Sequence, residues 1–249
     1  MSQKTALITG VGRRRGIGAT IALELAGAGW DIAFTYWTPY DRRMPWGEQP
    51  NDPPSLADDL SAVGIRALAI PADLAEPATA ARLVKDVADE LGPVSALVLS
   101  HAESVDSGIL DTTLESFDRH FAVNVRASWQ LIAEFARQVP AAGGRIVALT
   151  SDHVVDNLPY GASKGALDRI IIAAARELAH LGITSNLINP GPIDTGWMTD
   201  EVRERLTALQ PTGALGTPQD TANLVAFLLS DKGGWISGQL LKSDGGFSV

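Results

Sequence analysis

The chain contains no cysteine. Disulfide bridges, thiol nucleophiles and cysteine-ligated metal centres are therefore excluded. Histidine is scarce as well. His101, His120, His153 and His180 are scattered without a short-range pair at ligand spacing, and the acidic residues form no evident cluster, so no metal site is expected. No apolar run reaches membrane-spanning length, and residues 1–4 lack a basic-then-apolar leader, which predicts a soluble cytoplasmic protein without membrane contact. Positive charge is in deficit, with a net charge of −9 and a pI near 4.9, and this argues against non-specific nucleic-acid binding. What remains is ordinary for a globular protein. A chain of 249 residues, 45% hydrophobic and 20% charged, can build one large α/β domain or two small ones.

Short apolar runs alternate with amphipathic stretches. Residues 4–9 read as a buried strand closed by Gly10, followed by a glycine-rich stretch, a helix over 19–28 ending at Gly29, and a strand over 31–36. Residues 37–54 carry Trp37, Pro39, Pro45, Trp46, Pro50, Pro53 and Pro54, and that density of proline predicts a long aromatic-bearing loop. A helix over 55–63, a strand over 66–70 and a helix over 76–91 come next. A very apolar strand over 94–99 precedes a long helical region over 114–139. The remainder reads as a strand over 145–150, a helix over 159–181, a strand over 183–188, a loop over 189–197, two short helices and a last strand over 239–242. Strands that are apolar on both faces and alternate with helices indicate a doubly wound, mostly parallel α/β sheet with helices on both faces, of the Rossmann type. No repeat, low-complexity tract or linker interrupts it, so residues 1–249 read as a single domain.

In such a sheet, ligands bind beyond the carboxyl ends of the strands. Gly10, Gly16 and Gly18 follow the first strand there. Glycine permits the tight turn and lets backbone N–H groups approach a phosphate, which the positive end of the next helix also favours. Nucleotide binding is preferred to a plain glycine-rich turn because the stretch lies between a strand and a helix. The second notable stretch is Tyr160-Gly161-Ala162-Ser163-Lys164. Positions four apart share a helical face, so the Tyr160 phenol and Lys164 ammonium can point the same way. A fixed neighbouring cation lowers a phenol pKa and suits it to acid–base work near neutrality. Alone, the five residues could equally be a helix start that happens to contain Tyr and Lys.

Taken in order, Thr9-Gly10, Gly16-Ile17-Gly18, Asp73-Leu74, Asn124-Val125, Ser151, Tyr160 with Lys164, and Asn189-Pro190-Gly191 with Thr195 resemble the short-chain dehydrogenase/reductase family. The likeness runs from residue 4 to Asp244-Gly245-Gly246 and is nearest to 3-oxoacyl-acyl-carrier-protein reductases. The resemblance implies that Tyr160 passes a proton to a substrate carbonyl oxygen while a nicotinamide delivers hydride to the carbon. Lys164 would hold the cofactor ribose and depress the Tyr160 pKa, Ser151 would hydrogen-bond the same carbonyl oxygen, and Asn124 would hold a water linking Lys164 to solvent. Asp73 would accept from the adenine amino group beside Leu74. Ile193 and Thr195 would contact the carboxamide and phosphates, with Ser100, Pro190 and Gly191 along the cofactor's path. Similar proteins are commonly homotetramers paired through helices corresponding to 114–139 and 159–181. The apolar faces there, with Phe121, Val125, Trp129, Ile132, Ile170 and Ala174, suit subunit burial and sheet packing equally.

The cofactor expected is NADP(H) rather than NAD(H). Strand two ends without an acid until Asp41, whereas an acid there would pair with the free ribose hydroxyls of NAD. Arg13, Arg14 and Arg15 crowd the glycine stretch, Arg42 and Arg43 follow strand two, and guanidinium forks suit phosphate. Similar NADP-dependent proteins use a basic residue at the position of Arg15, but the stretch between Gly10 and Gly16 is longer here than in the family, leaving open which arginine faces the cofactor.

Two further departures bear on substrate. Leu99-Ser100-His101-Ala102 stands where the family has Asn-Asn-Ala-Gly, and His101 reads as a loop residue rather than a catalyst. Ser151 and Tyr160 are closer in sequence than usual, which shortens a wall of the substrate pocket. Thr150 is set aside as a rival to Ser151 because it would alternate to the other side of the strand. The expected activity is NADPH-dependent reduction of a ketone, a 3-oxoacyl thioester by resemblance. The alternatives are another small ketone or alcohol, such as a sugar or polyketide-like compound, and a non-catalytic NADP-binding regulatory subunit. The tryptophans of 37–54 and Trp197 could serve ligand or subunit contacts.

Overall fold

The computed structural model describes residues 3–249. Seven strands form one sheet in the order β3-β2-β1-β4-β5-β6-β7. They are β1 (Thr5–Thr9), β2 (Asp31–Tyr36), β3 (Ala67–Pro71), β4 (Val94–Leu99), β5 (Gly144–Leu149), β6 (Ile183–Asn189) and β7 (Leu240–Lys242). Every neighbouring pair is parallel, so the sheet is wholly rather than mostly parallel. Long connections leave room for the crossovers that parallel pairing requires. Strand order reverses between β1 and β4, which places a crevice beyond their carboxyl ends.

Alternate residues of each central strand feed two cores. Leu7, Leu97 and Leu99 face one layer, packed with Leu83 and Val87 of α4 (Thr79–Leu91), Leu131 and Phe135 of α6 (Ser128–Gln138), and Leu167 and Ile171 of α7 (Leu158–Glu177). Ala6, Ile8, Ala96 and Val98 face the other, against Ile21 and Leu25 of α1 (Ile17–Gly27), Leu60 of α3 (Asp52–Ala62) and Val225 and Leu228 of α9 (Pro218–Leu229). Each fully buried Leu, Ile or Phe contributes about 1.5–3 kcal/mol of transfer free energy, which makes these two layers the main stabilising term.

The Pro-rich stretch departs from expectation. A short helix, α2 (Thr38–Arg42), begins directly after Trp37, and α3 starts at Asp52 rather than at Ser55. Pro39, Pro53 and Pro54 all fall in first turns, where the missing N–H is unpaired anyway and the fixed φ suits the helix. Only 43–51 is irregular. The helix expected from 76 starts at Thr79, because Pro77 disfavours helical geometry at Glu76. The region 114–139 is a continuous rod of α5 (Leu114–His120), a π-helical stretch (Phe121–Ala127) and α6. Two capped helices finish the chain. Thr199 Oγ1 accepts from the Val202 N–H at the start of α8 (Asp200–Leu209), and Thr217 with Asp220 forms a reciprocal capping box at α9. Among the described residues, no helix is long and apolar enough to cross a membrane.

Candidate active site

β1 ends in Gly10, whose φ of +77° suits glycine, and a Cβ there would lie 2.5 Å from the His101 Cα. The turn therefore admits only glycine. No side chain caps α1 at Gly16. Its first-turn N–H groups are left to a ligand, and with the cradle at Gly10 they suit the pyrophosphate of a dinucleotide. Gly10, Arg13, Gly16, Ile17, Gly18, Ser100, Tyr160, Lys164, Pro190 and Thr195 line one cleft of about 240 Å³, together with Ala102, Leu149 and Thr150.

The three arginines diverge. Arg13 spans the cleft, donating to the Thr195 carbonyl at 3.1 Å, with its Nε 3.5 Å from Asp41 and its guanidinium 4.6 Å from the centre of the Trp46 ring. Trp46 Nε1 donates to Asp41 at 2.8 Å, so an indole and a guanidinium satisfy this buried carboxylate. Arg14 turns away, its N–H bonded to Asp52 and its guanidinium to Ser55 and Asp59. Arg15 is exposed and, among the described residues, has no carboxylate within ion-pair distance; its guanidinium lies beside Gly196. The insert is also tied across the crevice. Tyr40 donates to the Ser104 carbonyl at 3.2 Å, and Arg43 reaches both oxygens of buried Glu103 at 2.6 Å.

Asp73 lies outside the cleft lining, accepting from the Ala75 N–H at 2.8 Å and from Arg119 at 3.4 Å, while Leu74 beside it is buried. After β6, the Gly191 N–H donates to Asn189 Oδ1 at 3.1 Å, and buried Ile193 bridges to Gly216.

The first turns of α7 bring Tyr160 and Lys164 to the cleft. Tyr160 presents its ring to the cleft, and burial of its hydroxyl pushes the pKa up to about 12, partly opposed by the Ser151 side chain. Lys164 is 2% exposed and donates to the Leu149 carbonyl at 2.8 Å. Burial pushes it down to about 8 against the pull of Asp168. The ammonium stands 5.6 Å from the centre of the Tyr160 ring. The expectation of a lowered phenol pKa is therefore corrected. Without ligand, desolvation of the phenolate outweighs a lysine that is itself desolvated and aimed at a carbonyl. Ser151 Oγ accepts from the His153 N–H at 3.1 Å.

Asn124 sits in the π-helical stretch, a distortion frequent at functional sites. It is 1% exposed rather than solvent-facing. Its amide is spent on the Glu103 backbone and on Ser163 Oγ at 2.9 Å, and it makes no direct bond to Lys164. His101 is buried, with Nδ1 2.6 Å from Thr9 Oγ1 and Nε2 3.0 Å from the Val123 carbonyl. Burial, reinforced by the Lys164 charge, pushes it down to about 3, so it is a neutral strut beneath Gly10.

Two partnerships escaped the sequence reading. Thr150 lines the cleft and donates to Asp168 at 2.5 Å. β5 ends at Leu149, so strand alternation no longer governs residues 150 and 151. The four-residue spacing of Lys164 and Asp168 was the available signal. The Glu103–Arg43 pair had none.

A family model described as enoyl-(acyl carrier protein) reductase matches residues 10–248. The chain belongs to the short-chain dehydrogenase/reductase family of oxidoreductases. It is 38% identical to the uncharacterized oxidoreductase YjdA of Bacillus subtilis, covering 98% of this chain and 97% of that one. Among solved structures it resembles a blue fluorescent protein from a metagenomic library in complex with NADPH, at 35% identity and a TM-score of 0.88, covering 99% and 98% of the two chains. It also resembles a short-chain dehydrogenase from Burkholderia cenocepacia J2315 in complex with NADP, at 33% identity and a TM-score of 0.87, covering 100% and 99%.

Proposed function

We propose that the protein is an NADPH-dependent carbonyl reductase with 3-oxoacyl thioesters as its substrate class. One observation carries this reading: Tyr160 and Lys164 open onto the same cleft as the uncapped start of α1. When bound, the reduced nicotinamide supplies a hydride for the carbonyl carbon. Tyr160 supplies the proton to the carbonyl oxygen, and its raised pKa keeps it in the acid form this direction needs. The Ser151 hydroxyl stabilises charge growing on that oxygen. Lys164 would hold the ribose. Gly10, Gly16, Ile17, Gly18, Ser100, Pro190, Gly191, Ile193 and Thr195 bed the dinucleotide, with Asp73 and Leu74 at the adenine.

NADP(H) is favoured by the unpaired Arg15 and by the cofactors of the two similar structures. The acyl substrate is supported by the family description and by the exposed apolar side chains of Val154 and Val155 on the shortened wall. A homotetramer is supported by an open groove of about 690 Å³ along the rod and α7, lined by Phe121, Val125, Trp129 and Ile170. The test is cofactor oxidation by the purified protein with acetoacetyl thioester and unrelated ketones, NADPH and NADH in parallel. Turnover of the thioester with NADPH is expected. Turnover of other ketones alone overturns the substrate class, and equal rates with NADH overturn the cofactor.

A further inference from the structure

Where β5 ends, three consecutive residues meet one face of α7. The Leu149 carbonyl accepts from Lys164 and the Thr150 hydroxyl donates to Asp168, while the Ser151 side chain counters the rise in the Tyr160 pKa. Residues 160, 164 and 168 are spaced by single helical turns and therefore line up. The Thr150 N–H still bonds the Ile188 carbonyl of β6 at 2.8 Å, which makes Thr150 the last residue the sheet holds. Beyond Ser151 the chain runs through exposed residues 152–156, with Asp156 at a φ of +58°. On its C-terminal side the Ser151 hydroxyl is held by the His153 N–H of that exposed segment, so the sheet fixes it only from its N-terminal side, through Thr150. That residue is 4% exposed, and its hydroxyl has a carboxylate as acceptor, a stronger bond than one between neutral groups.

We propose that Thr150 and Asp168 form a positioning pair that sets the Ser151 hydroxyl against Tyr160, doing for the short connection what a longer, better-packed one would do. The proposal rests on the reading of Ser151 and Tyr160 given above. A packing contact alone would hold β5 to α7 and alter stability without regard to Ser151. A positioning pair acts through Ser151, because a donor to a developing alkoxide has to be held at hydrogen-bond distance, whereas the pull of Asp168 on Lys164 is a charge effect that Asp168→Asn removes while keeping the acceptor.

The experiment is steady-state kinetics of the full chain with NADPH and its best ketone. The variants are Thr150→Val, Thr150→Ser, Asp168→Ala, Asp168→Asn, Ser151→Ala and the double variant Thr150→Val/Ser151→Ala, each checked for folding by circular dichroism. Thr150→Val and Asp168→Ala are expected to lower kcat about tenfold, with KM for NADPH within about twofold of the parent. Thr150→Ser and Asp168→Asn, which keep a donor and an acceptor, restore at least about half of the parent kcat. In the Ser151→Ala background, Thr150→Val costs nothing more. Parent-like kcat in Thr150→Val and Asp168→Ala overturns the proposal, as does a loss of equal size with and without Ser151. Tyr160→Phe in the same assay keeps the two layers apart. Full activity there removes the underlying reading of the site, whereas its inactivity beside parent-like Thr150→Val and Asp168→Ala removes the positioning pair alone.

Discussion

The side-chain amide of Asn124 brackets the peptide of Glu103, accepting from its N–H at 2.7 Å and donating to its carbonyl at 2.9 Å. A third bond, to Ser163 Oγ, ties the same amide to the residue beside Lys164. The loop after β4 and the face of α7 that carries Tyr160 and Lys164 are thereby joined through one residue of the rod.

Asn124→Ala leaves both Glu103 backbone groups unpaired in a buried place. A loss of about 2–6 kcal/mol is expected, since each of the two unsatisfied groups costs about 1–3 kcal/mol. Thermal unfolding should show it as a fall in Tm of several degrees. An unchanged melt would mean that the loop repairs itself.

Tyr160→Phe removes the proposed proton donor and keeps the ring. The expected fall in kcat is about 100-fold or more, with NADPH binding retained. Fluorescence titration of NADPH beside the turnover assay measures both.

Of the three arginines, Arg15 is expected to answer to the extra phosphate of NADPH. Arg15→Ala should raise KM for NADPH about tenfold and leave KM for NADH nearly unchanged. Arg14→Ala should do neither, because Ser55 and Asp59 already occupy that guanidinium. Parallel KM determinations with both cofactors decide it.

His101 is neutral in the fold, with its pKa down to about 3 from an ordinary 6.5. Between those values the unfolded chain binds the extra proton, so stability rises with pH through the window and is lost on acidification. The buried Lys164, down to about 8 from 10.5, acts in the same sense at higher pH: its charge opposes folding below about 8, and that cost lifts towards 10.5. Melts at pH 4, 5 and 7 should show a shallower acid decline in His101→Gln than in the parent. Melts of parent and Lys164→Met at pH 7 and 9.5 should show the parent gaining relative to the variant. Parallel curves in either comparison would contradict the assigned shift.

The sheet was legible because central strands such as 94–99 are apolar on both faces, a pattern few other arrangements satisfy. The cleft was legible where function demands particular residue types, as at Gly10, Tyr160 and Lys164. Sequence was weaker where local rules meet position-dependent exceptions. Proline reads as a breaker at 39, 53 and 54 until it is known to fall in a first turn. Strand alternation dismissed Thr150 because it did not show that the strand stops one residue earlier. The Tyr160 shift depends on a desolvation that no spacing reveals, and the Glu103–Arg43 pair joins residues that only the folded insert brings together.

The π-helical stretch has a consequence for the gene as well. Each carbonyl there serves an N–H five residues on, so the rod contains one residue more than an α-helix of the same path would need. Loss of one codon within residues 121–127 would therefore return the stretch to α-helical pairing and leave both flanks on their present faces, with Leu131 and Phe135 still in the core. What it would take away is the bulge that carries Asn124, and with it the bonds to Glu103 and Ser163. A point deletion here is read at the cleft and not in the hydrophobic interior.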